Sequence, residues 1–181
     1  MELELEGERE TLERFTEALP LRAPKLAVIE SVEAEFTAEL KNYPDFRILK
    51  SKTEEFRNTL ISPDICICDD CLRELRDRND RRYRYPFINC TNCGPRFTII
   101  KDVPYDRCKT SMSEFPMCPD CDREYHDIED RRYHAQPDCC PVCGPQVFFL
   151  DAEGNRLEGD AIELAREYVK NGKIIAVKGL G

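Results

Sequence analysis

The chain has 181 residues, of which 35% are charged and 41% are apolar, and its formal net charge is −9. That apolar content suffices for packed cores, while the lack of a run of about 18 apolar residues and of a signal peptide argues against a membrane protein and predicts a cytoplasmic location. The acidic charge argues against a nucleic-acid partner, because affinity for phosphate backbones comes from an excess of Lys and Arg.

Residues 1–50 are predicted to form a strand, a helix and a second strand. Polar and apolar residues alternate at 2–6 and again at 27–36, the pattern of a half-buried strand. Between them lies an apolar helical stripe, expected to end before Pro20, whose members are Leu12, Phe15, Ala18 and Leu19. One strand–helix–strand unit leaves sheet edges open and buries little surface. We therefore expect these residues to be half of a larger domain.

Two copies of one cysteine motif follow a polar connection at residues 51–63. Shifting the sequence by 50 positions superposes one copy on the other without a gap, and each copy reads Cys-x-x-Cys, eighteen residues, Cys-x-x-Cys. The superposed cysteines are Cys68, Cys71, Cys90 and Cys93 in the first copy and Cys118, Cys121, Cys140 and Cys143 in the second. Arg-Glu pairs at 73–74 and 123–124 and Asp-Arg-Arg-Tyr segments at 80–83 and 130–133 also coincide. The repeat is therefore a whole structural module.

This spacing predicts two structural zinc ions, each held by four cysteines. Zinc takes four ligands in a tetrahedron, and two residues between cysteines let both sulfurs of one tight turn reach the same ion. A disulfide framework is disfavoured because no secretion signal is present. Catalytic zinc is disfavoured because catalytic sites keep an open position and usually include His or a carboxylate. We expect Gly94 and Gly144 to relieve crowding where backbone amides turn toward the sulfurs.

The repeat also sorts the remaining candidate ligands. Cys66, Cys108 and Cys139 have no duplicate, and we expect them to be partly buried small apolar residues. His126 and His134 fall on arginines of the first copy, so surface or capping roles are expected for both. The mixed charges of the Asp-Arg-Arg-Tyr segments predict a solvated, salt-bridged face, with a binding surface as the alternative.

Residues 146–181 are predicted to begin a further α/β domain. We expect a strand at 147–150, a turn at 151–155, a helix at 160–171 that stops at Gly172, and a short strand at 173–177. The last four residues, 178–181, read Lys-Gly-Leu-Gly, a glycine-rich turn as at the start of a nucleotide-binding domain. Lys178 is therefore a candidate nucleotide-binding residue, and the C-terminus is expected to be cut within that domain.

Four segments together resemble a known family. They read CDDCLREL at 68–75, RRYRYPFINCTNCGPRFTI at 81–99, PYDR at 104–107 and RRYHAQP at 131–137. These segments are similar to the HypF carbamoyltransferases, which act in the maturation of nickel–iron hydrogenases. Cys108 stands where that family usually has proline, and Cys66 and Cys139 are additions that leave the zinc ligands unchanged.

The resemblance implies a domain organisation of α+β class, with zinc-stapled modules in the middle. Residues 1–50 would be the C-terminal half of an acylphosphatase-like, ferredoxin-like domain and residues 51–63 a linker. Residues 64–107 and 108–145 would be the first and second zinc-finger modules. Residues 146–181 would be the start of a YrdC-like nucleotide-binding domain.

The resemblance also implies an activity for the parent enzyme. Carbamoyl phosphate and ATP would be used to carbamoylate the C-terminal cysteine of a partner protein, HypE. The family's anion loop would precede Met1 and its transfer domain would follow Gly181, so no catalytic residue is assigned and the 181 residues alone are expected to be inactive. Their expected role is architectural. The alternative is a stand-alone zinc-dependent protein-interaction adaptor.

Overall fold

The computed structural model describes residues 2–23, 27–48 and 61–179, and the chain divides into two compact units, Met1–Glu54 and Glu55–Gly181. Most of the connection predicted at 51–63, and the last two residues of the glycine-rich turn, lie outside the described residues. Among the helices of the described part, none is long and apolar enough to cross a bilayer.

The first unit contains helix α1, Arg9–Leu21, which continues through Pro20. The prediction that this helix ends before Pro20 is therefore wrong. A proline removes only its own N–H from the helix ladder, and the next turn still closes because the Arg22 N–H donates to the Ala18 carbonyl at 2.8 Å. The Thr16 hydroxyl additionally donates to the Leu12 carbonyl at 2.9 Å.

The strands predicted in the first unit carry no sheet ladder within residues 2–23 and 27–48. Residues 2–6 instead approach 41–43 through side chains: the Glu6 carboxylate accepts from the backbone N–H groups of Asn42 at 2.9 Å and Tyr43 at 3.0 Å. None of the described residues of this unit is buried, and Leu5 and Phe15 remain exposed. An alternating pattern fixes which residues share a face, but a ladder needs a partner strand at the right register.

Residues 61–179, the described part of the second unit, contain three α-helices: α2 at Asp69–Arg76, α3 at Pro119–His126 and α4 at Ala161–Lys170. Short 3-10 turns at Phe97–Ile99, Arg107–Lys109 and Ser111–Glu114 join the two cysteine modules. The strands predicted at 147–150 and 173–177 are absent from the described residues, where Leu150 forms an isolated bridge with Arg156. The β part of the predicted α+β class is thus limited, in the described chain, to such isolated bridges.

The helix predicted at 160–171 is confirmed as α4. The Asp160 side chain accepts from the N–H groups of Ile162 at 2.9 Å and Glu163 at 3.1 Å, which caps the first turn. Asn171 follows the last turn, and Gly172 has φ +72°, a left-handed conformation that ends helices. The turn predicted at 151–155 is also present, since the Asp151 N–H donates to the Asn155 carbonyl at 2.9 Å.

The sequence repeat is also a repeat of backbone structure. Arg84 and His134, 50 residues apart, both have positive φ, +57° and +52°. Their N–H groups donate back to equivalent carbonyls, those of Leu75 at 2.9 Å and Tyr125 at 3.0 Å. Each module therefore consists of a helix and a loop that folds back against the end of that helix. The second cysteine pair follows this loop.

The two modules share one hydrophobic core rather than holding one each. Buried Tyr85 and Ile88 of the first module lie in the same cluster as Cys139 of the second. Ile99 and Met112, from the turns between the modules, complete the cluster. The Tyr85 hydroxyl also donates to the Pro145 carbonyl at 3.1 Å, at the end of the second module. Neither module is packed independently of the other.

Gly144 lies at the tightest point of this core. A Cβ placed there would lie 2.7 Å from Cys139 Cβ and would also overlap the Tyr85 hydroxyl. Such overpacking costs roughly 1–3 kcal/mol. We expect Gly144→Ala to lower the free energy of unfolding of the zinc-loaded chain by that amount in urea titrations. Gly7→Ala, whose Cβ meets only Leu12 at 3.9 Å, is the control, and an equal loss in both variants would contradict this reading of the core.

Candidate metal centres

The first two cysteines of each module lie at the start of a helix. Cys68 is the N-cap residue of α2 and Cys118 the N-cap residue of α3. Cys71 and Cys121 follow in the first turn, three residues later and on the same side. The unpaired N–H groups of a helix N-terminus give that end partial positive charge, which favours thiolates. The sequence therefore presents both sulfurs of each pair where negative charge is stabilised.

The second pair of each module forms a tight turn in which backbone amides face sulfur. The Asn92 N–H donates to Cys90 Sγ at 3.3 Å, and the Val142 N–H donates to Cys140 Sγ at 3.4 Å. Glycine was expected where amides turn toward the sulfurs, but the amides that donate come before Gly94 and Gly144 in the chain. The space for a side chain at these glycines is instead limited by the side chains of Asn89 and Cys139. A Cβ at Gly94, where φ is +97°, would lie 2.6 Å from Asn89 Cβ.

The structure brings the eight predicted cysteines into two clusters of four, with all sulfurs of a cluster within 4.8 Å of one another. Cys68 and Cys90 are 3.6 Å apart at Sγ, and Cys90 and Cys93 are 3.9 Å apart. In the second cluster the corresponding distances for Cys118–Cys140 and Cys140–Cys143 are 3.7 and 3.8 Å. A tetrahedron with zinc–sulfur bonds of about 2.3 Å has edges of about 3.8 Å. Both clusters therefore fit a zinc ion.

The clusters are closed sites made of free thiols. All eleven cysteines are unpaired, and the sulfur separations far exceed the bond of about 2.05 Å in a disulfide. Cys71, Cys90, Cys93 and Cys121 have no accessible surface. Cys68, Cys118 and Cys143 are half-buried. Four thiolates fill all four positions of a tetrahedral zinc and leave none for substrate, which is the arrangement of a structural rather than a catalytic metal.

Arginines of each module contact a ligand sulfur of the other module. Arg131 Nη1 of the second module donates to Cys71 Sγ of the first at 3.0 Å. Arg81 Nη2 of the first module donates to Cys121 Sγ of the second at 3.3 Å, and Arg82 Nη2 reaches the same sulfur at 3.5 Å. The Asp-Arg-Arg-Tyr segments thus exchange their arginines across the interface between the modules.

Each exchanged arginine pair is anchored by a glutamate of the receiving helix. Arg82 pairs with Glu124 at 2.6 Å and Arg132 pairs with Glu74 at 2.5 Å, and the neighbouring Arg81 and Arg131 contact the same carboxylates. The Arg82 and Arg132 side chains are only 2% and 4% exposed. The prediction of a salt-bridged face is therefore confirmed, but the prediction that this face is solvated is wrong for Arg82 and Arg132. These charges lie in the inter-module interface, where each has a partner, as buried ions require.

Asp138 lies between the two arginine pairs and breaks their equivalence. Its fully buried carboxylate accepts from Arg82 Nη2 at 2.9 Å and lies 3.5 Å from Arg132 Nε. The repeat places Ile88 at the equivalent position in the first module. Burial raises the pKa of Asp138 to about 6, although both guanidinium groups oppose that shift. One carboxylate thus serves two buried arginines.

The interface arginines oppose the effect that burial has on a ligand thiol and on its neighbouring carboxylate. Burial raises the pKa of the Cys121 thiol, and the Arg81 and Arg82 guanidinium groups act against that rise. Burial would also raise the pKa of Glu124, but hydrogen bonds from Arg82 and Arg81 lower it to about 2. Glu124 therefore stays ionised and holds both arginines at the sulfur. Cys121, Glu124 and Asp138 lie close enough to hold a metal, but both carboxylates already pair with Arg82.

The remaining predicted residues are not members of the four-cysteine clusters. Cys139 is buried as expected, but Cys66 and Cys108 are exposed, so the expectation of partial burial is wrong for them. His126 is exposed, with Nδ1 2.8 Å from the Asp122 carbonyl, and His134 packs between the rings of Tyr125 and Tyr133. Lys178 is exposed within residues 173–179, which form neither helix nor strand.

Sequence reasoning missed the arginines as part of the metal centres. The signal was present, because Arg81-Arg82 and Glu74 recur 50 residues later together with the cysteines. Duplication alone did not single them out, because Arg73 and Arg123 are duplicated too and pair on the exposed face. The repeat could not predict that the arginines contact the sulfurs of the opposite module, because a sequence pattern does not distinguish a contact within a module from a contact between modules.

Glu124 provides a test of the interface charges. Removing one partner of a buried ion pair leaves the other uncompensated, which costs roughly 3–5 kcal/mol. We expect Glu124→Gln to lower the free energy of unfolding by about that amount. Asp120→Asn, which breaks the exposed pair with Arg123 on the same helix, should cost less than about 1 kcal/mol. Similar losses in the two variants would show that the interface pairs carry no special weight.

Comparison with known proteins places these centres in a family. A family model described as the HypF finger matches residues 67–100 and 117–150, which contain all eight clustered cysteines. The probable carbamoyltransferase HypF of Methanocaldococcus jannaschii is 50% identical over 185 residues, covering 100% of this chain and 24% of that protein. The carbamoyltransferase HypF of Synechocystis sp. is 53% identical over 169 residues, covering 92% of this chain and 22% of that protein.

Solved structures agree with the sequence matches. A crystal structure of full-length HypF in the phosphate- and nucleotide-bound form matches with a TM-score of 0.86 and 50% identity, over 97% of this chain and 23% of that one. The crystal structure of T. kodakarensis HypF matches with a TM-score of 0.73 and 45% identity, over 93% of this chain and 21% of that one. The chain spans about a quarter of the length of these relatives. The similarity runs through the whole chain and includes both four-cysteine centres, so the chain belongs to the HypF family.

Proposed function

We propose that this chain binds two structural zinc ions and serves as the paired zinc-finger part of a HypF-type carbamoyltransferase. The observation that carries the proposal is the pair of closed four-cysteine clusters, whose sulfur spacing matches a zinc tetrahedron. Cys68, Cys71, Cys90 and Cys93 would hold one ion, and Cys118, Cys121, Cys140 and Cys143 the other. Bound zinc supplies a link between the helix and the tight turn of each module.

The metal is needed because these modules have little else to hold them. The buried residues of the described chain include five of the eight clustered cysteines, Cys71, Cys90, Cys93, Cys121 and Cys140, and few large apolar side chains. Small domains with so little apolar burial depend on metals or disulfides. Structural zinc contributes roughly 10–16 kcal/mol of apparent binding free energy, which couples directly to folding.

The proposed parent activity rests on family membership. The relatives are named carbamoyltransferases, and a similar structure was obtained with phosphate and nucleotide bound. Carbamoyl phosphate and ATP are the proposed substrates of the parent enzyme, and HypE, in nickel–iron hydrogenase maturation, is the proposed partner. The 181 residues supply no proposed catalytic group, and we expect them to be inactive by themselves.

The proposed role of the fingers is architectural: they orient the segments joined to them. One contact supports this role. Arg84 of the first module pairs with Glu163 of α4 and lies 3.9 Å from the Asp160 carboxylate that caps that helix. The segment that follows the second module is thus tied back to the first. A rigid finger pair with such anchors would set the direction in which the following domain leaves.

The zinc assignment predicts two zinc ions per purified chain, measured by elemental analysis. Cys71→Ser and Cys121→Ser should each remove at least one ion, because a site with three thiolates loses a bond of its tetrahedron. Cys66→Ser is the control: its exposed thiol lies outside both clusters, so two ions should remain. If Cys66→Ser lost an ion and Cys71→Ser did not, the ligand assignment would be wrong.

The parent activity can be tested by exchange into a relative. Replacing the matching quarter of the Methanocaldococcus jannaschii protein with this chain should preserve ATP consumption that depends on carbamoyl phosphate, since the two share 50% identity. The same chimera with Cys121→Ser should lose most of that activity, while Cys66→Ser should not. Full activity of the Cys121→Ser chimera would argue for an adaptor that is dispensable for catalysis.

A further inference from the structure

We infer that each finger's arginine acts as a positioning residue for the zinc ion of the opposite finger, so that the two metal sites stabilise one another. This inference rests on the proposed zinc binding. It assigns Arg131 to the site of Cys68, Cys71, Cys90 and Cys93, and Arg81 to the other site. Metal affinity at one cluster would then depend on the folded state of the other module.

The geometry supports a direct effect on the ligand sulfurs. Arg131 Nη1 lies 3.0 Å from Cys71 Sγ and Arg81 Nη2 lies 3.3 Å from Cys121 Sγ, distances of charged N–H···S hydrogen bonds. The two side chains are mostly buried in this interface, with exposures of 31% for Arg81 and 24% for Arg131. Among the hydrogen bonds of the described residues, every guanidinium donor to a ligand sulfur comes from the opposite module.

Charge balance explains why such donors matter. Four thiolates around a divalent zinc leave two excess negative charges at each site. Two helix arginines of the same modules are engaged elsewhere: Arg73 pairs with Asp70 and Arg123 pairs with Asp120, both at 2.8 Å on the exposed face. In the described residues, the guanidinium groups that donate to the sulfurs come from across the interface. Partners of this kind alter metal affinity by roughly 10–100-fold when removed.

The exchange makes the coupling reciprocal. Opening of the second module would withdraw Arg131 from Cys71, and opening of the first would withdraw Arg81 from Cys121. If a zinc ion at one cluster raises the affinity of the other cluster for zinc by some factor, the second ion must raise the affinity of the first cluster by the same factor. The Asn89 and Cys139 carbonyls reinforce this link, because they accept from Arg132 Nε at 3.1 Å and Arg82 Nε at 2.9 Å across the same interface.

The test is a site-resolved measurement of metal loss. The zinc-loaded chain is exposed to excess chelator with an alkylating reagent present, and mass mapping shows which cysteines are freed. In Arg131→Gln, alkylation at Cys68, Cys71, Cys90 and Cys93 should accelerate by roughly tenfold or more, ahead of the other cluster. Arg81→Gln should show the reverse order. Arg131 and Arg81 are chosen because they are less deeply buried than Arg132 and Arg82.

Two controls make the outcomes decisive. Arg123→Gln removes the same charge from the second module at an exposed pair and should leave both rates unchanged. Arg131→Lys keeps the positive charge but loses the planar guanidinium group, so alkylation at the same cluster should accelerate less than in Arg131→Gln. The lysine variant also provides the test if Arg131→Gln does not fold. Acceleration that begins at the cluster of the arginine's own module, or no acceleration at either cluster, overturns the inference. A wild-type chain with fewer than two zinc ions would instead refute the proposed function.

Discussion

The negative charge of eight clustered thiolates is the constraint on which the rest of this structure depends. Each cluster, with a zinc ion, would retain an excess of about two negative charges in a largely buried setting. The helix N-termini at Cys68 and Cys118 offset part of it. The remainder is met by guanidinium groups that donate to Cys71 and Cys121 from the opposite module. Charge compensation thus requires the two fingers to be neighbours.

That requirement explains why a repeated unit became one folded body. The contacts are isologous, as at a twofold dimer interface: Arg81 of the first module contacts Glu124 of the second, and the equivalent Arg131 of the second contacts the equivalent Glu74 of the first. Buried ion pairs seldom add much net stability, because desolvation offsets their attraction. Their effect here is to fix the register of the modules, since a displaced arginine would be left buried without a carboxylate. The two modules differ at one position of this interface, where the second has Asp138 and the first has Ile88. The single Asp138 carboxylate lies beside both Arg82 and Arg132, so a second carboxylate is not needed there.

The metal centres were more predictable than their surroundings. The repeat identified all eight clustered cysteines, because ligand spacing is a local property of a tight turn, and the α4 boundaries followed from Asp160 and Gly172. The exchanged arginines were missed, since mixed charge in sequence does not reveal burial. The prediction of strands at 2–6 and 27–36 was wrong for a related reason. A sheet ladder depends on partner strands, which no local sequence pattern specifies. The domain boundaries remain predictions.

The most direct test of this account is NMR spectroscopy of the chain loaded with cadmium-113, where scalar coupling across an N–H···S hydrogen bond links the donor proton to the metal. The guanidinium protons of Arg131 should couple to the cadmium that also couples to the β protons of Cys68 and Cys71. Those of Arg81 should couple to the cadmium bound by Cys118 and Cys121. Coupling of either arginine to the metal of its own module would contradict the exchange, as would guanidinium protons that exchange freely with solvent and show no coupling.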